Sequence, residues 1–116
     1  MKYTPASQRA PVFAALGDPT RLHLLERLAA AQQASITALT AETGLTRQAV
    51  TKHLHVLASV GLVVDVQRGR ERVYRAVPEA LVDVQTWITE YRRGWEDSLD
   101  RLDEYLRTLE REEPKP

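Results

Sequence analysis

The feature that most constrains the fold is the three-residue link Gly44-Leu45-Thr46, which joins two segments with helical patterns. The first segment spans residues 35–44, with a serine at its start as the capping candidate and a glycine at its end as the stop. The second spans residues 46–59 and begins at the capping candidate Thr46. Because so short a link forces the two helices to cross at a steep angle, the pattern predicts a helix-turn-helix.

Further helices and one β-hairpin are predicted on either side of this pair. Asp18 is placed to cap a helix, and Pro19 to occupy its first position. Valine-rich segments that alternate in the manner of strands flank Arg68-Gly69-Arg70, where glycine permits a tight turn. The sequence thus predicts a mainly α chain with a small β-hairpin: helices over 7–16, 19–32, 35–44 and 46–59, strands over 62–67 and 71–77, and a long helix from 78 to about 111. The residues predicted to face inward are Leu22, Leu25, Leu28, Ile36, Leu39, Val50, Leu54 and Leu57.

The length and composition favour one domain over residues 1–116. Of the 116 residues, 43% are hydrophobic, which suffices for one core. The sequence has no run of about 18 uncharged apolar residues and no apolar secretory segment near its start, so we expect a soluble, cytoplasmic protein. The absence of cysteine excludes disulfides, thiolate metal sites and a cysteine nucleophile. No glycine-rich phosphate loop or paired catalytic histidine is found, so we expect neither an enzyme nor a cofactor.

A net charge of zero conceals two halves of opposite sign. Residues 1–75 hold ten Lys and Arg against five Asp and Glu, whereas residues 76–116 hold six against eleven. Charges further apart than about 8–10 Å are screened at physiological salt, so a polyanion responds to the basic half locally. This segregation favours a nucleic-acid surface, although ordinary proteins also segregate charge.

The outer face of the predicted helix 46–59 combines basic and amide side chains and carries no acid. In a major groove, arginine can pair with guanine and glutamine with adenine, while threonine and lysine can bind phosphate oxygens. The alternative is an ordinary solvated face, but such faces usually mix both signs of charge. The candidate DNA-binding residues on this helix are Thr46, Arg47, Gln48, Thr51, Lys52 and His55.

The hairpin tip offers a second candidate contact with DNA. Arg68 and Arg70 flank the turn, and Arg72 follows on the returning strand. A thin ribbon with guanidinium groups at its tip can reach phosphates or an adjacent minor groove. The alternative is a surface hairpin in which Glu71 pairs with one of these arginines.

Three segments, ALGDPTRLHLLERLA, LTRQAVTKHLHVLASVGLV and RGRERVYRAV, resemble the opening, the recognition helix and the wing of the ArsR/SmtB family. The resemblance covers roughly residues 9–77. It implies a winged helix-turn-helix with 7–77 as the DNA-binding core, in a homodimeric bacterial or archaeal transcription regulator at the nucleoid. Such regulators are commonly repressors, which a signal releases from an inverted-repeat operator. His53 falls where the family often carries histidine, and we expect it to pack and to hydrogen-bond rather than to bind a ligand.

The metal-ligand patterns of that family are absent from this sequence. One pattern needs cysteines near the start of the recognition helix, where residues 49–51 are Ala-Val-Thr. The other resembles Asp-x-His-x10-His-x2-Glu/His on the last helix and would start at Asp83. Its next three positions hold Gln85, Glu96 and Leu99. An amide and a single carboxylate make a poor zinc site, so we do not expect a conventional metal sensor. A site of different geometry between subunits stays open.

The long last helix carries an apolar stripe with spacings of three and four residues. We interpret the stripe, together with part of the first helix, as a dimer interface, because two recognition helices must lie about 34 Å apart to enter successive major grooves. The alternatives are an aromatic pocket for an apolar effector and a module that binds another protein. Residues 78–111 are then the dimerisation helix and 112–116 a frayed tail. The interface candidates are Val12, Phe13, Leu16, Trp87, Tyr91, Trp95, Leu99 and Leu102.

Overall fold

The computed structural model describes residues 6–112, so the predicted frayed tail lies outside the described residues except for Glu112, which ends the last helix. The chain forms two compact units, which divide between Asp83 and Val84. We call residues 6–83 the winged unit. The elements in chain order are α1 (Ala6–Leu16), α2 (Pro19–Ala31), β1 (Gln33–Ser35), α3 (Ile36–Thr43), α4 (Arg47–Ser59), β2 (Val63–Arg68), β3 (Glu71–Ala76), a 3-10 helix (Pro78–Leu81) and α5 (Val82–Glu112).

The corner between α1 and α2 is held by two side chains from the start of α2. Asp18 caps α2 as predicted, accepting hydrogen bonds from the backbone N–H groups of Thr20 and Arg21 at 2.9 and 3.0 Å. Arg21 reaches back to α1, donating to the carbonyl oxygens of Ala15 at 3.0 Å and Ala14 at 3.3 Å. These bonds satisfy backbone groups that helix ends leave unpaired. Arg21 is therefore committed to the fold.

The predicted caps of α3 and α4 are present at the start of each helix. The Ser35 hydroxyl accepts from the Ala38 N–H at 3.0 Å, and the Thr46 hydroxyl accepts from the Ala49 N–H at 3.1 Å. Gly44 ends α3 with φ at +70°, a left-handed conformation that glycine adopts without strain. Gly44 thus ends α3 and Thr46 begins α4 within three residues, which is the short link from which a steep crossing is predicted.

The sheet has three strands in the order β1-β3-β2, where the sequence predicts only two. The hairpin strands β2 and β3 pair as predicted, from Val63↔Ala76 to Arg68↔Glu71. The additional strand, β1, pairs antiparallel with the other edge of β3. Its three residues are too few to show an alternating pattern, and the strand forms by pairing with residues 73–75, far along the chain.

The core of the winged unit lies where α2, α3 and α4 meet the hairpin. The predicted inward residues of α3 and α4 are buried, but Leu22 of α2 is 41% exposed, so that prediction is wrong. Leu24, which is fully buried, takes its place because packing against neighbouring elements sets the rotation of α2. Tyr74 of β3 is also buried, and desolvation raises the pKa of its phenol. The fully buried side chains are Leu24, Leu28, Leu39, Val50, Leu54, Leu57, Leu62 and Tyr74.

The helix α5 differs from the rest in exposing its apolar residues. It spans 31 residues, or about 46 Å. Trp87 stacks on Tyr91 with ring centroids 5.2 Å apart, and Tyr91 meets Trp95 edge to face at 6.2 Å. Large apolar side chains along the rest of the helix are 41–60% exposed. Within residues 6–112, no helix combines the length and the apolar character that a bilayer span requires.

Candidate nucleic-acid interface

The outer face of α4 gathers the side chains that the sequence predicts to contact DNA. The buried residues of α4, Val50, Leu54 and Leu57, lie on the opposite side as predicted. Along the outer face runs an open depression of about 670 Å³. It is lined by Arg47, Gln48, Thr51, Lys52 and His55, together with Val56 and Ser59. Val56 and Ser59 were not predicted, although they lie four residues after Lys52 and His55 and so continue the same face.

The hydrogen bonds of this face leave most of its polar groups available. The Arg47 guanidinium donates to the Thr37 hydroxyl of α3 at 3.1 Å, and the Thr51 hydroxyl donates to the Arg47 carbonyl oxygen at 2.8 Å. Among residues 6–112, the side chains of Gln48 and Lys52 have no hydrogen-bond or ion-pair partner. Thr37 is an addition to the predicted set, and only the spatial proximity of α3 and α4 reveals it. The face can therefore present a guanidinium, an amide and an ammonium group to a ligand.

The wing consists of the hairpin β2–β3 and its two-residue turn, Gly69-Arg70. Gly69 has φ at +61°, and Arg70 has no positive φ, which is the pattern of a type II′ turn. Within the described residues, Arg68, Arg70 and Glu71 form no ion pair. The acid that does pair is Asp65, with Arg72. The alternative in which Glu71 neutralises an arginine is therefore not observed, and the two arginines at the tip are uncommitted.

The half-buried His53 lies on α4 between the core and the outer face. Its side chain is packed as predicted, but its buried Nδ1 has no hydrogen-bond partner among the described residues. It also acts electrostatically on Asp18. The pKa of the Asp18 carboxyl is lowered from 3.8, chiefly by the hydrogen bond from the backbone N–H of Arg21. Desolvation opposes this shift, while the Arg21 guanidinium, the backbone N–H of Thr20 and His53 add to it. His53 is thus a packing residue near the α2 cap.

The candidates for the dimer interface fall into two exposure classes. Val12, Phe13 and Leu16 of α1 are half-buried. On α5, Trp87 is half-buried, whereas the other members of the stripe are exposed. An open notch of about 370 Å³ lies on α5. It is lined by Glu90, Tyr91, Gly94, Trp95 and Ser98, so this surface is shallow and partly polar.

The residues present do not fit the metal chemistry of the resembled family. Among residues 6–112, no group of three or more His, Asp or Glu side chains is arranged to hold a metal ion. The sequence has no cysteine, and its histidines at 23, 53 and 55 lie on α2 and α4. Zinc favours imidazole and thiolate ligands, and the α5 positions of the family's metal-ligand pattern hold neither.

Comparison with known proteins places this geometry in a family. Residues 16–66, from the end of α1 to the middle of β2, match a family described as "Helix-turn-helix domain". The chain is 38% identical over 68 residues to an uncharacterized HTH-type transcriptional regulator, YuzN, of Bacillus subtilis. That alignment covers 53% of this chain and 74% of the relative.

Solved structures of similar fold extend the comparison to most of the chain. An ArsR-like transcriptional regulator from Rhodococcus sp. RHA1 superposes with a TM-score of 0.78 at 33% identity, covering 85% of this chain and 92% of its own. A homodimeric winged helix-turn-helix DNA-binding domain, Mb0332 from Mycobacterium bovis, described as a possible ArsR-family regulator, gives 0.60 at 27% identity, covering 75% and 82%. The predicted fold and family are confirmed. With its capped turn, its acid-free α4 face and its basic wing, the chain belongs to the ArsR family of winged helix-turn-helix proteins and is a DNA-binding transcriptional regulator rather than an enzyme.

Proposed function

We propose that the protein is a homodimeric repressor that binds an inverted-repeat operator through α4 and the wing. The observation that carries the proposal is the outer face of α4, where Arg47, Gln48 and Lys52 are exposed and no acid is present. In this assignment residues 7–77 form the DNA-binding core and residues 78–111 the dimerisation helix, within one winged helix-turn-helix over 1–116. The protein acts in the cytoplasm of a bacterial or archaeal cell, at the nucleoid.

The α4 residues divide into base contacts and phosphate contacts. Arg47 and Gln48, in the first turn of α4, can reach guanine and adenine edges when the helix enters the major groove. To do so, Arg47 exchanges its exposed hydrogen bond with Thr37 for a base. Lys52 and His55 lie one and two turns further along, where they can bind phosphates and set the register. Thr46 and Thr51 supply hydroxyl groups beside them, although both already make bonds within the helix.

The three wing arginines do not contribute equally to this proposal. Arg68 and Arg70 are uncommitted among the described residues and can bind phosphates without losing an internal partner. Arg72 is ion-paired with Asp65, so a phosphate contact requires that pair to open. We therefore assign the larger share of the wing's phosphate affinity to Arg68 and Arg70.

Dimerisation is supported by the exposed stripe of α5. Tyr91, Trp95 and Leu99 are 55–60% exposed, and side chains of this size contribute about 1.5–3 kcal/mol each when they are buried. The M. bovis relative is described as homodimeric. A second copy, placed against α5 and the half-buried residues of α1, would bury this stripe and present two α4 helices to one face of a duplex. The signal that releases the operator is not a conventional metal ion.

A band-shift titration at several salt concentrations tests the proposal. We expect nanomolar binding to an inverted repeat from the protein's own upstream region, with affinity that falls steeply as salt rises. Arg70→Ala should weaken all sequences alike and lower the salt slope by about one. Arg111→Ala, with the same change of charge at the end of α5, should leave the slope unchanged. Flat salt dependence with no preferred sequence would contradict the proposal and favour a protein-interaction module.

A further inference from the structure

A second concave site lies on the winged unit and shares no residue with the depression on α4. It is a cavity of about 370 Å³ between the end of α2 and the end of β3, which we call the α2–β3 cavity. By the volume that liquid water occupies, it has room for roughly a dozen water-sized groups. It is lined by Leu28, Ala29, Gln32, Arg75, Ala76 and Pro78. Leu28 is fully buried, so the cavity reaches down to the core.

The lining combines an apolar floor with two polar side chains that are not otherwise used. Leu28, Ala29, Ala76 and Pro78 carry no side-chain donor or acceptor. Among residues 6–112, neither Gln32 nor Arg75 forms a side-chain hydrogen bond or an ion pair. A mostly apolar concavity with a few available polar groups is the composition of small-molecule sites in general.

The charge of Arg75 selects the class of ligand. Arg75 is exposed, and its partners across the strands are the neutral residues Val64 on β2 and Gln33 on β1. No acid lines the cavity. A guanidinium with no neutralising neighbour on an apolar floor complements a carboxylate, which it can bind through two parallel hydrogen bonds.

The backbone at Gln32 is an independent observation at the same place. Its φ of 69° and ψ of −40° lie in a strained region, and within the described residues it is the only non-glycine residue with positive φ. A glycine would adopt this conformation without strain. The chain instead keeps a long amide side chain at the rim of the cavity, where it can donate to an anion beside Arg75.

We propose that the α2–β3 cavity binds a small organic anion, namely a carboxylate on a short apolar body. The carboxylate lies between the Arg75 guanidinium and the Gln32 amide, and the apolar body rests on Leu28 and Ala76. The site is separate from the DNA-binding face and does not depend on the repressor assignment.

The test uses benzoate and hexanoate as probes, added to the full ¹⁵N-labelled chain at constant ionic strength and followed by NMR. We expect saturable shifts at the amides of Ala29, Gln32 and Ala76 with at least one probe. Benzamide, a neutral molecule of the same shape, should bind at least tenfold more weakly than benzoate. No saturable shift with either carboxylate, or equal binding of benzamide, would overturn the proposal.

Matched variants locate the binding on the two polar residues. Arg75→Gln should weaken benzoate at least tenfold, while Arg75→Lys, which keeps the charge but cannot form the two parallel hydrogen bonds, should lose less of the affinity. Arg111→Gln, with the same loss of charge at the end of α5, should bind as the parent does; an equal loss there would show a nonspecific charge effect and overturn the site. Gln32→Gly should raise the Tm, because it removes strain, and yet weaken benzoate. If stability rose with no loss of affinity, Gln32 would have a structural role only.

Discussion

The winged unit and α5 use apolar side chains in opposite ways. In the winged unit, Leu24, Leu28 and Leu54 are completely buried in a core shared by helices and sheet. On α5, Trp95 and Leu99 are larger or equal in size and yet 57% and 60% exposed. Both regions show apolar residues at helical spacing, so the sequence pattern alone does not distinguish them.

The difference teaches that the two stripes have different partners. The stripes of α2 and α4 are satisfied within one chain, which gives the recognition surface a rigid support. The stripe on α5 is long, aromatic and exposed, which is the character of an interface that a second molecule completes. We therefore expect changes in the core to alter stability at any protein concentration, and changes on α5 to alter association.

The largest effect is expected for Trp95→Glu. In the proposed dimer two copies of this residue are buried, at about 1.5–3 kcal/mol per copy, so the change should weaken association by roughly 10²–10⁴-fold. Operator affinity should fall with it, because one recognition helix alone makes half of the contacts. Sedimentation velocity measures the change, and Asp97→Ala, on the opposite side of α5, should remain a dimer. A Trp95→Glu variant that sediments as an intact dimer would refute the interface.

A core substitution gives the next effect and tests the other half of the comparison. Leu24→Ala should lower the free energy of unfolding by about 2–5 kcal/mol, because it leaves a cavity in a packed core. Leu22→Ala, two positions away but exposed, should change it by no more than about 0.5 kcal/mol. Urea denaturation measures both. If both variants lost the same free energy of unfolding, α2 would not bury Leu24 in preference to Leu22.

Smaller effects are expected on the recognition face, where affinity should change while stability does not. Arg47→Ala or Gln48→Ala should cost about 1–3 kcal/mol at the cognate operator and relax the sequence preference. Gln85→Ala on α5 is the control for loss of an exposed amide. Fluorescence anisotropy with cognate and scrambled duplexes measures the effect. If both variants kept the parent's affinity and sequence preference, neither residue would contact the bases.

The smallest effect is expected for the pH dependence of stability at the cap of α2. The folded state holds the pKa of Asp18 below 3.8, so its stabilising contribution is complete above that pH and is lost as the pH falls through the lower, folded value. Asp18→Asn keeps a capping oxygen but does not titrate. The gap in unfolding free energy between parent and variant should therefore narrow from pH 5 to pH 2 in urea titrations. A constant gap would contradict the assigned role.

Features decided by local chemistry are predictable from this sequence. The caps at Asp18, Ser35 and Thr46 depend on the two or three residues that follow them, and all three form as predicted. The buried face of α4 follows from its period, because Val50, Leu54 and Leu57 leave no second apolar face. The hairpin follows in the same way from alternation around Gly69.

Features decided by distant contacts are not predictable in this way. The rotation of α2, which exchanges Leu22 for Leu24, is set by packing against other elements. The strand β1 exists through its pairing with β3. The Asp65–Arg72 ion pair depends on the register of the hairpin. The positive φ of Gln32 is likewise not predictable, because glutamine has no propensity for that conformation. For the candidate site, the α4 face was predictable, whereas the contact of Thr37 and the unequal arginines of the wing were not.

The central position of β3 in the sheet has a consequence for signalling. One end of the strand leads into the turn with Arg70, and the other end carries Arg75 and Ala76 in the wall of the α2–β3 cavity. About five residues, roughly 17 Å of extended backbone, join the two ends. Strand β2 pairs with β3 along its whole length, and β1 pairs with residues 73–75 beside the cavity. If an organic anion binds beside Arg75 as proposed, it lies on the strand that leads to the wing, and an effect of the anion on operator affinity would give the cell a chemical input that needs no metal.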